Sequence, residues 1–158
     1  MASEPLTVVG VISDTHGLLR TQALDALHAS DLIIHAGDVG HPEVLEQLRT
    51  IAPTFAVRGN VDTSPWAKVL PLHEVVQVGD LQIYVLHDLA DLDLDPRAAG
   101  FAAVISGHTH RPHVQVRNDV LYLNPGSAGP RRFTLPIAVA RVEVTGSCIS
   151  HEIIELRV

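Results

Sequence analysis

The residues of this chain that can do chemistry sit where short apolar runs stop. Residues 8–12 run into Ser13-Asp14-Thr15-His16, 32–34 into His35-Ala36-Gly37-Asp38, and 55–57 into Arg58-Gly59-Asn60. Residues 83–86 run into His87, and 104–106 into Gly107-His108-Thr109-His110. Seven donors result: Asp14, His16, Asp38, Asn60, His87, His108 and His110, all oxygen or nitrogen. Such a set suits Mn²⁺, Fe²⁺, Co²⁺, Ni²⁺ or Zn²⁺ and not the all-oxygen cage of Ca²⁺. Seven donors exceed what one four-coordinate zinc needs and suit two ions roughly 3.5–4 Å apart, with the two carboxylate oxygens of Asp38 able to bridge them.

Charge then selects the reaction. Two divalent ions bring about four positive charges, Asp14 and Asp38 cancel about two, and a bridging hydroxide leaves about one for a phosphate anion. The expectation is phosphate-ester hydrolysis through a hydroxide activated by two divalent metal ions, Mn²⁺ favoured, with Asp38, Asn60 and His108 as the catalytic residues. No substrate-binding residue is assigned by the sequence.

The elements that must hold these donors follow from hydrophobic periodicity. Strands at 8–12, 32–35 and 54–57 alternate with helical patterns at 18–28 and 42–50, the second opening on Pro42. From Leu72 the pattern changes to strands with tight turns: 75–78 and 81–86 around Gly79-Asp80, 102–106, 113–117 and 120–123 around Asn118-Asp119, and 136–144 and 148–156 around Thr145-Gly146-Ser147. Asp14 and His16 are two apart, as are His108 and His110, a spacing that in extended backbone aims both side chains the same way. Helices early and hairpins late predict an α/β fold with two sheets face to face and helices outside. Residues 88–100, with Asp88, Asp91, Asp93 and Asp95, read as a solvated loop or short surface helix, or as a negatively charged lip beside the site.

Bulk properties narrow the function classes. A length of 158 residues fits one domain, 1–158, and no apolar stretch approaches the roughly 18 residues of a membrane span. The start, Met1 to Pro5, lacks the features of a signal peptide, so a cytoplasmic location is expected. A net charge of −7, with Lys68 the one lysine among eleven basic residues, argues against a nucleic-acid partner. The single cysteine, Cys148, is expected as a small buried residue on a late strand.

The ordered set Asp14-x-His16, Gly37-Asp38, Gly59-Asn60-x-Asp62, His87 and Gly107-His108-x-His110 resembles the calcineurin-like metallophosphoesterase superfamily. The turn Gly59-Asn60-Val61-Asp62 and the later Asn124-Pro125-Gly126-Ser127 are similar to its compact bacterial and archaeal phosphodiesterase branch, the YfcE-like proteins. The resemblance implies a four-layer αββα sandwich of two mixed sheets, with a dinuclear site at one sheet edge. It assigns Asp14, His16 and His110 to one ion and Asn60, His87 and His108 to the other, with Asp38 bridging. It also implies a small-molecule phosphoester as substrate and a two-fold or four-fold homo-oligomer.

Two positions depart from the family pattern. Val61 stands where many larger relatives carry a histidine thought to protonate the leaving group, so esters with good leaving groups are expected to react best. Asp88 follows His87 where glycine is usual, which makes His87 the least secure of the seven ligands. Asp62 reads either as orienting a water or neighbouring group or as capping the turn before Ser64-Pro65. His35 is expected to support Asp38, Trp66 to pack, and Arg111, Arg131 and Arg132 to be solvated. Two other functions compete with the hydrolase: a non-catalytic protein-interaction scaffold on the same fold, and a nuclease, against which the acidic balance weighs.

Overall fold

The computed structural model describes residues 4–158, so of the chain start from which location is read only Glu4 and Pro5 are included. The first sheet holds β1 (Leu6–Ile12), β2 (Leu32–His35) and β3 (Thr54–Ala56) in parallel. Two antiparallel strands extend it, β9 (Ala138–Thr145) beside β1 and β10 (Cys148–Glu155) beside β9, giving the order β10-β9-β1-β2-β3. The second sheet has the order β4-β5-β6-β8-β7. Its strands are β4 (His73–Val78), β5 (Leu81–Leu86), β6 (Ala103–Ile105), β7 (Pro112–Arg117) and β8 (Val120–Pro125), parallel through β5-β6-β8 and antiparallel at both edges. Both sheets are mixed, as expected.

Period-two alternation sorts the side chains into layers. Val9, Val11, Ile34, Ala140 and Val142 from one sheet meet Val76, Ile83, Val85, Ile105 and Leu123 from the other in the central core. The opposite face of the first sheet, with Ile12, Ile33 and Val139, is covered by α1 (Thr21–Leu27) and α2 (Pro42–Arg49). In α2 the apolar residues Val44, Leu45 and Leu48 face inward, Pro42 occupies the first turn, and the His41 side chain accepts from Glu43 N–H as N-cap. Among the described residues no α-helix covers the outer face of the second sheet. A 3-10 turn at Leu89–Asp91 and the coil after it bring Leu89, Leu92, Leu94 and Phe101 onto Tyr84, Leu86, Val104 and Val120. Regular acidic spacing (Asp88, Asp91, Asp93, Asp95) with leucines between explains why this layer is a strap and not a helix: the leucines alternate inward without a helical stripe.

The two-residue hairpins form where expected, and Asn118 and Asp119 both take positive φ (50° and 64°) as a type I′ turn requires. Two expectations change. Helix α1 begins three residues later than the periodicity suggests, because Gly17 (φ 83°) turns the chain and Arg20 is still extended. Cys148 is exposed: as the first residue of the edge strand β10 it has no layer above it. Among the described residues no helix is long and apolar enough to cross a membrane.

Candidate metal centre

The ends of β1, β2, β5 and β6 and the loop after β3 deliver all seven donors to one edge of the sandwich. They converge by a different route from extended-strand alternation. Asp14, His16, Asp38, His108 and His110 all have left-handed backbone, with φ of 55°, 48°, 55°, 73° and 63°. Each pair therefore turns back on itself immediately after its strand, and non-glycine residues held this way signal a locally over-determined site.

Two sets of donors form. Asp14, His16 and His110 present ligand atoms within 4.8 Å of one another, and so do Asp38, His87 and His108. In the first set His110 Nε2 lies 3.4 Å from Asp14 Oδ1 and 3.4 Å from His16 Nε2. In the second, His87 Nε2 lies 3.1 Å from Asp38 Oδ2 and 3.0 Å from Asn60 Oδ1, while His108 Nδ1 is 3.1 Å from the same Asn60 oxygen. Asp38 Oδ2 also faces His16 Nε2 at 3.8 Å, so it stands between the sets. His87, the ligand weakest on sequence grounds, is buried and central. Its Nδ1–H donates to the Ala36 carbonyl at 2.7 Å, which leaves the Nε2 lone pair facing the cluster.

The donors fit a bound cation. Asp14 is fully buried, and its Oδ1 has no hydrogen-bond donor although three imidazole Nε2 atoms point at it from 3.4 to 3.9 Å. An unsatisfied buried carboxylate oxygen is costly unless a cation completes it. Burial raises the Asp14 carboxyl, but His110, His87 and the Ser13 hydroxyl outweigh it and hold it below the usual carboxylate range. Asp38 follows the same pattern, burial opposed and overcome by His87 and the Val61 N–H. Burial pulls His16 below its ordinary value against the pull of Asp38 and Asp14. For His87 burial also pulls down, yet Asp38, Asp14 and the Ala36 carbonyl raise it overall. Ionised carboxylates beside imidazoles are the protonation state a divalent cation needs.

Supporting contacts explain why the loops hold this shape. Ser13 Oγ donates to Asp14 Oδ2 at 2.8 Å, His108 N–H donates to the same oxygen at 3.1 Å, and Ser127 Oγ donates to the Asp14 carbonyl at 3.0 Å. A Cβ on Gly107 would collide with Ser13 and Asp14, and one on Gly59 with Asp38. Asn124 Nδ2 donates to Gly107 O at 2.9 Å and to Thr109 Oγ1 at 3.1 Å, tying the His108–His110 loop to β8. Asp88 Oδ2 approaches His108 Nε2 at 3.6 Å, so the residue that departs from the family pattern has a place behind a donor.

Two expectations take a specific form here. Asp62 is 4% exposed and accepts backbone N–H from Val39 (3.1 Å), Gly40 (3.0 Å) and Gly59 (2.9 Å). It thus clamps the Asp38 loop to the Asn60 loop and does not cap the turn before Ser64. Among the described residues His35 forms no hydrogen bond to the Asp38 side chain and supports its loop from either side: its Nδ1 accepts from Gly37 N–H at 3.1 Å, and its Nε2–H donates to Thr15 Oγ1 at 2.9 Å, which donates on to Val39 O. Neither link is visible in sequence spacing, since both bridge loops twenty or more residues apart along the chain. Trp66 packs against the α-helical core, as expected.

Grooves flank the centre on both sides. One of 350 Å³ opens beside Asn60, His87 and His108 and is lined by Arg58 and by Asp88, Asp91 and Asp93, the acidic lip. Arg58 was given no role by the sequence, although it directly precedes Gly59-Asn60. The other groove, 520 Å³, opens beside His16 and is bounded by Gly40, His41 and Glu43.

The pattern of the calcineurin-like phosphoesterase superfamily domain matches residues 8–147. A "probable metallophosphoesterase" of Methanothermobacter thermautotrophicus is 35% identical, over 93% of this chain and 91% of the relative. Another, of Methanocaldococcus jannaschii, is 39% identical over 76% of this chain and 67% of the relative. Among solved structures, Vps29 of Chaetomium thermophilum aligns with a TM-score of 0.82 over 96% of this chain and 88% of that one; at 21% identity this likeness is one of fold. The family pattern spans every donor from Asp14 to His110, and with two relatives this similar the chain belongs to the calcineurin-like phosphoesterase superfamily.

Proposed function

We propose that the chain is a dinuclear metal-dependent phosphodiesterase acting on small phosphodiesters with good leaving groups. The observation that supports this reading is the position of Asp38 Oδ2, 3.1 Å from His87 Nε2 and 3.8 Å from His16 Nε2, facing one imidazole of each donor set. Asp14, His16 and His110 would hold one divalent ion and Asn60, His87 and His108 the other. When bound, the ions supply a water of lowered pKa and positive charge for the phosphoryl oxygens.

The protein's own groups fix the geometry. Val61 N–H donates to Asp38 Oδ1 at 2.9 Å, which orients the other oxygen toward the imidazoles. The Ala36 carbonyl sets the His87 tautomer, and Asn60 Oδ1 lies between the ring nitrogens of His87 and His108, at 3.0 and 3.1 Å. The Val61 side chain has no proton to give to a departing alkoxide, so the leaving group must be stable as an anion. Grooves on both sides of the centre give each of a diester's two alcohol groups a place to lie, whereas a monoester needs one. The acidic lip disfavours a polyanionic nucleic acid.

Purified protein loaded with Mn²⁺ is expected to hydrolyse bis(p-nitrophenyl) phosphate in preference to p-nitrophenyl phosphate, to lose turnover on chelation, and to bind two ions per chain by elemental analysis. Asp38→Asn and His108→Ala are each expected to lower kcat/KM by about 100-fold or more. A protein that takes up no metal and turns over no activated diester would overturn the proposal and favour the scaffold reading.

A further inference from the structure

The groove beside His87 and His108 has a composition that hydrolysis alone does not require. Its floor is Tyr84 and Leu86, both buried, from the outer face of the second sheet, and its rim carries the exposed His73. Asp88, Asp91 and Asp93 also line it, and Arg58 is its one permanent cation, so three carboxylates against one guanidinium leave two negative charges. Asp91 and Asp93 form no ion pair among the described residues, whose Arg–carboxylate pairs are Arg97 with Asp119 and Arg141 with Glu152.

Tyr84 adds a second, independent feature. It is 5% exposed, its ring stacked on His73 (centroids 5.8 Å apart, 24° between planes) and tilted against Phe101 at 5.1 Å. Among the described residues its hydroxyl has no hydrogen-bond partner. The fully buried side-chain polar atoms without a partner are Asp14 Oδ1, Arg20 Nε and His110 Nδ1, so the Tyr84 hydroxyl opens into the groove. Burial and then the nearby Asp93 charge raise its pKa, which keeps it a neutral donor and acceptor. A polar atom fixed at the floor, under free carboxylates and beside an aromatic pair, is built to meet a ligand.

The sign of the charge selects that ligand. With the phosphoryl group on the donor sets, one alcohol of the diester lies in this groove. An anionic alcohol would meet two surplus negative charges, and a neutral one would leave the carboxylates unused. An ammonium group gains from the carboxylates, and the Tyr84 hydroxyl at the floor can accept from an N–H of a primary ammonium. We propose that this groove recognises a positively charged aminoalcohol, so that the preferred substrates are phosphodiesters with an ammonium group a few bonds from phosphorus. This rests on the hydrolase reading above and names the class of substrate for that site.

Two matched esters test it on the Mn²⁺-loaded protein: p-nitrophenyl phosphorylcholine and its uncharged isostere, 3,3-dimethylbutyl p-nitrophenyl phosphate. The cationic ester is expected to have a kcat/KM about tenfold higher, as two or three partly exposed charge pairs supply. In the double variant Asp91→Asn/Asp93→Asn that ratio is expected to fall toward one. Saturation-transfer NMR on metal-free protein gives a readout without turnover: choline is expected to bind more strongly than 3,3-dimethylbutanol, and the double variant to abolish the difference. Equal binding of choline and 3,3-dimethylbutanol, or a neutral ester turned over as well as the cationic one, overturns the proposal. If neither ester is hydrolysed while choline still binds through Asp91 and Asp93, the hydrolase reading fails and the cation site stands.

Discussion

Removing the Asp62 carboxylate is expected to be among the most damaging single changes outside the apolar core. The carboxylate accepts three backbone N–H groups, from Val39, Gly40 and Gly59, at 2.9 to 3.1 Å, and it is nearly inaccessible. A hydrogen bond to a charged group contributes about 1.5–3 kcal/mol net, and a buried N–H left without a partner costs about 1–3 kcal/mol. The three bonds share one acceptor and are not additive, so Asp62→Ala is expected to cost about 3–5 kcal/mol. With an m-value of about 2 kcal/mol/M in urea, the midpoint should fall by about 2 M. Equilibrium urea unfolding in EDTA is the assay, because metal linkage would otherwise mask part of the loss. Asp62→Asn should fall between wild type and Asp62→Ala, since one amide oxygen replaces two carboxylate oxygens and its NH₂ faces N–H groups. A midpoint shift below about 0.3 M for Asp62→Ala, no more than an ordinary surface substitution gives, would refute the clamp and return Asp62 to a role on water.

Two further expectations come from the same loops. Burial holds His35 at a pKa of about 4, against 6.5 for an exposed histidine, and its Nδ1 can accept from Gly37 N–H only while neutral. Above pH 6.5 both states are neutral; between 6.5 and 4 the unfolded state takes up a proton that the folded state refuses. Stability is therefore lost as pH falls through that window, by roughly 3 kcal/mol, and His35→Asn should flatten this limb in metal-free urea titrations; an unchanged slope would contradict the assignment. Gly107→Ala places a methyl group on Ser13 and Asp14, so it should cost about 1–3 kcal/mol and weaken Mn²⁺ binding in calorimetry; wild-type affinity would show that the loop can shift without consequence.

The donors were legible in the sequence because each follows a strand, and strands announce themselves by apolar runs of fixed length. Asp14, Asp38, His87 and His108 needed only that reading to be grouped. The means of convergence was not legible. Left-handed backbone at Asp14, His16, Asp38, His108 and His110 leaves no compositional trace, because glycine, the residue that would advertise it, is absent from those positions. The particular partners of Asp62 and His35 were not legible for a related reason. Asp62 accepts from backbone N–H groups, which have no side-chain identity to recognise, and His35 reaches the Thr15 hydroxyl of another loop as well as the Gly37 N–H. Cys148 shows the limit of composition: cysteine is commonly buried, but an edge position in β10 overrides that preference.

The five left-handed donors also bear on why so much of the sandwich is devoted to one edge. Each such residue costs on the order of 1–3 kcal/mol relative to relaxed backbone, and burial of the Asp14 and Asp38 carboxylates adds a desolvation cost. Local side-chain contacts alone do not offset a cost of that size. The loops are instead locked from behind: Ser13 and Ser127 hold Asp14, Asp62 holds the Asp38 and Asn60 loops together, and Asn124 holds the His108–His110 loop to β8. All of these anchors except Asp62 emerge directly from, or just beyond, strands whose other residues form the central core. Strain at the site is thus balanced by apolar burial between the sheets, and what the strain secures is a set of lone pairs aimed at common points before any cation arrives. A cation then meets donors that need little rearrangement, which is the condition for tight binding at low entropic cost. On this account a core substitution such as Ile105→Ala, not itself a donor but on the strand that launches His108 and His110, should weaken Mn²⁺ binding as well as the fold. Because the strain is released locally before the core unfolds, the affinity should fall even at temperatures where circular dichroism still reports native structure.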